Sequence, residues 1–153
     1  MSDFQASVVI PRSREETFKY LRNPGNLLNL FPDIARQLEV KLPEMVEQGS
    51  ILEINFKVMG RPIQIVQEIT DLRPGERIVA TQLKGPLKKW IHEQRFADTA
   101  DGGTLLTNTI DFDPPGGLLG FIVTRKQVLS HLEDWVGRGH ELLRKTLTKI
   151  APE

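Results

Sequence analysis

Leu105-Leu-Thr-Asn-Thr-Ile-Asp-Phe112, then Asp113-Pro-Pro-Gly-Gly117 and Leu118, contain the change of period that decides the fold. Before Asp113 the apolar residues recur at every second position, and Leu106, Asn108, Ile110 and Phe112 share one face of a strand. After Gly117 the period becomes helical. At about 100° per residue, Leu118, Ile122, Leu129, Leu132, Val136, Leu143, Leu147 and Ile150 fall in a single stripe. One unbroken helix from Leu118 to Ile150 would be about 50 Å long, whereas a domain of this size is about 40 Å across. A break is therefore expected, most simply just after Gly120, with Gly137 and Gly139 as further weak points.

Upstream of this boundary the period of two persists. Leu52, Ile54, Phe56 and Val58 alternate with Glu53, Asn55 and Lys57, the clearest half-buried strand in the chain. Leu38 to Leu42, Ile63 to Ile69, Ile78 to Leu83 and Lys88 to Phe96 supply further strands. The turns between them are short and rich in Gly and Pro: Gly60-Arg61-Pro62, Arg73-Pro74-Gly75 and Gly85-Pro86. Such spacing reads as an antiparallel meander, too tight for the crossovers that a parallel sheet needs. At the start, Phe4, Ala6, Val8 and Ile10 form another strand. Ser13 and Glu16 then have the form of a capping box. The first short helix is expected to be interrupted at Asn23-Pro24, and a second, Gly25 to Phe31, to stop at Pro32.

The expected order is strand, two short helices, six strands and a long amphipathic helix. Sheet and helix each have one apolar face and must cover one another. A long antiparallel sheet curls as it twists and encloses more space than one helix fills, so a cavity is expected between them. The 153 residues are read as one domain, 1–153, without internal repeats or linkers. Lys plus Arg number 20 and Asp plus Glu number 20, leaving no net charge, which argues against non-specific nucleic-acid binding. The absence of cysteine excludes disulfides, thiolate nucleophiles and Cys-ligated metals. No secretory signal or membrane-spanning run is visible, so a cytoplasmic protein with no membrane insertion is expected.

Several stretches resemble the START/Bet v 1-like superfamily, specifically its bacterial polyketide cyclase/dehydrase and lipid-transport group. They are Phe4-Gln-Ala-Ser-Val-Val-Ile-Pro11, Glu16-Thr-Phe18 with Asn23-Pro24 and Asn26-Leu27, and Gly85-Pro-Leu-Lys-Lys-Trp-Ile-His92 with Phe96. Gly102-Gly-Thr-Leu-Leu-Thr107 and Pro114-Pro-Gly-Gly-Leu118 also fit. The resemblance implies an α+β helix-grip fold: a curved antiparallel sheet of about seven strands around a long C-terminal helix, with two short helices after the first strand. It carries no single reaction, because fold-level analogy does not assign chemistry.

Candidate site residues follow from strand parity. Trp90, His92, Gln94 and Phe96 share a face, and the two aromatics turn that face inward, leaving Ile91, Glu93 and Arg95 outside. An inward His and Gln need partners or water. Asn108 on the next strand and Gln67 on an otherwise isoleucine face are the other inward polar residues. These are either the few convergent polar groups of an apolar pocket or a small, internally satisfied network. Leu52, Ile54, Phe56, Ile65 and Ile110 are the expected walls. Arg125 lies within the helical stripe, where it either meets an anionic group at the cavity mouth or snorkels to solvent. His140 is read as a satisfied boundary residue and His131 as solvent-facing. No metal site, cofactor, nucleophile elbow or phosphate-binding glycine loop is indicated.

Three functions are compatible with this reading. The favoured one is cofactor-free binding of a small hydrophobic or aromatic molecule, whether lipid, quinone or polyketide-like. A cyclase or dehydratase would use the same cavity with His92 as acid/base, but needs a second titratable group that the sequence does not identify. An adaptor with a vestigial cavity is the third.

Overall fold

A computed structural model describes residues 3–117 and 119–149. Strand β1 (Phe4–Ile10) is followed by helices α1 (Arg14–Leu21), α2 (Pro24–Asn29) and α3 (Pro32–Ala35). Strands β2 (Glu39–Lys41), β3 (Ile51–Val58), β4 (Arg61–Arg73), β5 (Arg77–Lys84), β6 (Lys89–Asp98) and β7 (Thr104–Asp113) come next. A single turn, α4 (Leu119–Ile122), precedes the long α5 (Arg125–Lys149). The seven strands form one antiparallel sheet in the order β1-β7-β6-β5-β4-β3-β2. This is the helix-grip arrangement expected from the change of period.

Three local details differ from the expectation. Pro24 begins a helix rather than only ending one. Asn23 caps α2 by accepting a hydrogen bond from the Gly25 N–H at 3.0 Å, and Pro suits the first helical turn, where no N–H is needed. Pro32 likewise opens the extra turn α3 instead of closing the helical segment. Leu38 and Leu42 lie outside β2, whose three residues are all exposed; Leu42 instead packs, partly buried, against the larger apolar cluster.

The break before the long helix falls at Val123-Thr124, after α4 has run through Gly120. Thr124 and Gln127 form a reciprocal cap: Gln127 N–H donates to Thr124 Oγ1 at 3.3 Å, and Thr124 N–H to Gln127 Oε1 at 3.0 Å. That pairing starts a new helix. Helix α5 then continues through Gly137 and Gly139 without interruption for about 37 Å. Leu132, Val136, His140, Leu143 and Leu147 form its buried stripe. Leu118, Ile150 and the side chain of Ile122, expected in the same stripe, lie outside the described residues.

Two apolar clusters fill the space between helix and sheet. The larger gathers Ile10, Phe18, Leu21, Leu52, Ile69, Ile78, Phe96, Leu106, Leu143 and Leu147, with Leu30 and Val46. Phe18 and Phe96 meet edge-to-face there, ring centroids 5.3 Å apart. The smaller contains Phe4, Ile110, Phe112, Leu132 and Val136, with Trp90 against it.

Candidate functional site

A polar seam separates these two clusters, and three elements contribute to it at matching heights. On β7, Asn108 lies between Leu106 of the larger cluster and Ile110 of the smaller. On β6, His92 and Gln94 lie between Trp90 and Phe96. On α5, His140 lies between Val136 and Leu143. Strand register makes Gln94 the direct neighbour of Asn108 and puts His92 on the adjacent diagonal.

Asn108 joins the two imidazoles. His92 Nε2 is 2.7 Å from Asn108 Oδ1, and Asn108 Nδ2 is 2.6 Å from His140 Nε2. In this orientation His92 donates from Nε2–H, and His140 accepts at Nε2 and carries its proton on Nδ1. Turning the amide over reverses both roles and keeps both bonds. Burial lowers the His92 pKa, against a smaller opposing effect of its hydrogen bond to Asn108. Burial also lowers the His140 pKa, with the neighbouring His92 adding to the effect. Both rings are therefore neutral at pH 7.

The seam opens into a cleft of about 50 Å³ beneath α5. His92, Gln94, Leu106 and Asn108 form its sheet side; Trp135, Val136, Gly139, His140 and Leu143 form its α5 side; Leu21, Leu27 and Phe31 close it from the short helices. No lining residue carries a formal charge except through protonation of a histidine. The Gln94 carboxamide makes no side-chain hydrogen bond among the described residues and stays available to an incoming group. Phe31 and Trp135 form the lip, ring centroids 5.8 Å apart, with the Arg138 guanidinium 5.9 Å from the Phe31 ring. Gly139 permits this closure, because a Cβ there would lie 3.3 Å from Phe31 Cζ. The volume holds a few waters, so a larger guest requires the lining to give way.

The structure brings together His92, Gln94 and Asn108 from the expected set and adds His140, whose position between Val136 and Leu143 already gave it helical spacing with the core. It does not gather the rest. Gln67 sits on β4, opposite Leu52 and Gln82, two strands from β6. Trp90 packs into the smaller apolar cluster rather than lining the cleft. Leu52 and Ile110 are buried in the two separate clusters, and Ile54 and Ile65 face each other across β3 and β4, half-buried. Phe56 borders a different groove of about 890 Å³, shared with Gln37, Glu39, Lys57, Ile63 and the Lys84-Gly85-Pro86 turn. The expected β3 wall is therefore replaced by α1, α2 and the Phe31 turn. Leu21, Leu27, Phe31, Trp135 and Gly139 line the cleft without any sequence pattern that marks them as site residues.

Arg125 also has a different task. Its guanidinium donates to Asp3 Oδ1 at 2.6 Å and to Asp113 Oδ1 at 3.4 Å, and lies 5.1 Å from the Phe112 ring. It ties the start of α5 to the ends of β1 and β7, away from the cleft. Glu93 and Arg95 lie on the outer face, where Glu93 pairs with Arg77 at 3.3 Å and Arg95 at 2.6 Å. Among the described residues no group of three or more His, Cys, Asp or Glu is placed to hold a metal, and no helix is long and apolar enough to cross a membrane.

Among curated protein sequences none matches the chain. Solved structures do match it in fold. The protein TTHA0849 from Thermus thermophilus superimposes with a TM-score of 0.72 at 14% identity, covering 94% of this chain and 95% of that one. The Zhui aromatase/cyclase from Streptomyces sp. R1128 gives 0.69 at 19% identity, covering 95% and 93%. Ginseng major latex-like protein 151 from Panax ginseng gives 0.66 at 14%, covering 94% and 95%. The model of one family, described as polyketide cyclase / dehydrase and lipid transport, matches residues 1–148. The chain belongs to the polyketide cyclase/dehydrase and lipid transport family.

Proposed function

We propose that the chain binds a small, neutral, apolar or aromatic molecule in the cleft beneath α5, with a hydroxyl or carbonyl group of the ligand held at the polar seam. The observation that carries this reading is the seam itself. Evolution of a merely stable core has no need of two histidines and an asparagine between two apolar clusters, since a matched apolar replacement is often neutral or stabilising. Around the seam the walls are aromatic and aliphatic, and Gln94 offers both a donor and an acceptor. Native mass spectrometry of the freshly purified protein tests the reading. A co-purifying uncharged small molecule, lost in a His92→Gln/Asn108→Leu variant, is the expected result. A ligand that persists in that variant would place binding elsewhere.

A cyclase or dehydratase reading gains one specific observation. Such chemistry needs a second titratable group near His92, and His140 is linked to it through Asn108. Each neutral imidazole keeps one unprotonated ring nitrogen that can act as a base, although burial weakens it. If turnover of a bound substrate is found, His92→Gln should lower it by about 10²–10⁴-fold while binding is largely kept.

A further inference from the structure

The balanced net charge conceals a segregated one. Three tracts contain no acidic residue: 54–67, 77–92 and 114–132. The fold brings the basic parts of all three to one end of the molecule. Lys57 and Arg61 flank the β3–β4 turn, and Lys57 borders the same groove as Lys84. Lys88 follows in the β5–β6 turn, its backbone bonded to Asp113 at the end of β7 and its side chain against Gly116. Lys89 begins β6, and Lys126 stands in the first turn of α5, beside the Arg125 that grips Asp113.

These six cations, Lys57, Arg61, Lys84, Lys88, Lys89 and Lys126, are all exposed. Among the described residues none of them is ion-paired, whereas the arginines elsewhere, such as Arg14, Arg22, Arg77, Arg95 and Arg138, pair with acids. Of the acids at this end, Asp3 and Asp113 are held by Arg125 and Glu53 pairs with Lys41, leaving Asp111, which accepts the Asp3 N–H, and Glu39 without an ion-pair partner among the described residues.

The same end carries the three most exposed large apolar side chains among the described residues: Met59 at 98%, Phe121 at 84% and Leu83 at 57%. Met59 occupies the tip of the β3–β4 turn and Phe121 the turn α4. Exposed apolar side chains at the same end as cations that have no ion-pair partner are the combination that binds an anionic lipid surface. We infer that this end docks on the surface of an anionic lipid bilayer, with Met59 and Phe121 entering the boundary between headgroups and acyl chains. A folded protein partner would favour a continuous flat patch, with good shape complementarity and few charges at its centre. Isolated apolar prongs standing among lysines fit a deformable lipid surface better. This inference goes beyond the cleft and does not depend on what the cleft holds.

Co-sedimentation with phosphatidylcholine vesicles, with and without phosphatidylserine, tests it at low and physiological salt. The expected result is partition onto the phosphatidylserine vesicles alone, weakening as salt rises. Each cation removed near an anionic surface costs about fivefold in partition, so Lys84→Gln/Lys88→Gln/Lys89→Gln should lose about a hundredfold. Met59→Ser/Phe121→Ser, with every charge retained, should lose at least about tenfold. Three outcomes would overturn the inference: no partition at low salt, equal partition onto both vesicles, or undiminished partition of Met59→Ser/Phe121→Ser. The last would mark a purely ionic surface, which an acidic protein would satisfy equally well. All five positions are exposed, and an unchanged melting temperature shows that a variant remains folded.

Discussion

Asn108→Leu is the most informative single change, because it strips two buried partners at once. His92 Nε2–H and His140 Nε2 each bond the same carboxamide, at 2.7 and 2.6 Å, and Asn108 itself is only 5% exposed. A buried polar group left unpaired costs about 1–3 kcal/mol, so the two cost about 2–6 kcal/mol. The new apolar side chain returns part of this through burial, leaving a net loss of about 1–4 kcal/mol. Urea unfolding followed by tryptophan fluorescence reads it directly, since Trp135 lines the cleft and Trp90 lies two residues from His92. The companion variant His92→Leu/Asn108→Leu/His140→Leu removes the bonded members of the seam together. It should recover most of the lost stability, because none of the three then leaves a buried partner orphaned. An Asn108→Leu protein as stable as the wild type would mean that the seam is not closed. A triple variant much less stable than Asn108→Leu would mean that the seam is kept for folding, and the reasoning toward a ligand would fail.

Three further outcomes follow from particular contacts. His92 and His140 have lowered pKa values in the folded state, so below about pH 6.5 the unfolded chain binds protons that the folded chain refuses. Stability is therefore full above about pH 7 and falls on acidification through 6.5 toward the depressed values, by up to about 1.4 kcal/mol per pH unit for each ring. His92→Gln/His140→Gln should flatten the urea midpoint below about pH 6.5; an unchanged profile would contradict the assignment. Gly137 has nothing within 4 Å of an added Cβ, whereas at Gly139 that Cβ meets Phe31 at 3.3 Å. Gly137→Ala should stabilise α5 by about 0.5–1 kcal/mol, while Gly139→Ala should gain less and shift the Trp135 fluorescence by displacing Phe31. Arg125→Ala, which breaks half-exposed ion pairs to Asp3 and Asp113, should cost about 1 kcal/mol and leave ligand retention unchanged; loss of ligand would return Arg125 to the site.

Parity made much of this architecture legible. In β7, Thr104, Leu106, Asn108, Ile110 and Phe112 are all buried, as alternation alone requires, and the same rule placed His92 and Gln94 inside. His140 was equally visible, since it shares helical spacing with Val136 and Leu143; an unpartnered histidine in a stripe simply looks like a boundary residue until its partner is known. Alternation tells which face a residue takes, but not what stands across from it. That is why parity points Leu52, Ile54, Phe56 and Ile65 toward the site, although Leu52 packs in the larger cluster, Phe56 borders the separate groove, and Ile54 pairs with Ile65 across β3 and β4. Leu27 and Phe31 lie in or beside helices too short to show a period, so their role at the lip came only from tertiary packing. The helix break was displaced by a local signal, Thr124-Arg-Lys-Gln127, whose reciprocal cap outweighs the flexibility of Gly120.

The central claim is that the seam receives a neutral polar group within an uncharged apolar cleft. The ring ¹⁵N resonances of His92 and His140, followed during titration with phenol and separately with benzoate, test it most directly. Phenol presents a neutral hydroxyl and benzoate a carboxylate on the same ring, while the cleft offers no cation to offset a buried charge. Phenol should shift both sets of imidazole resonances in a saturable way, and benzoate should leave them in place. Equal response to the two compounds, or none to phenol while the protein remains folded, would contradict the account.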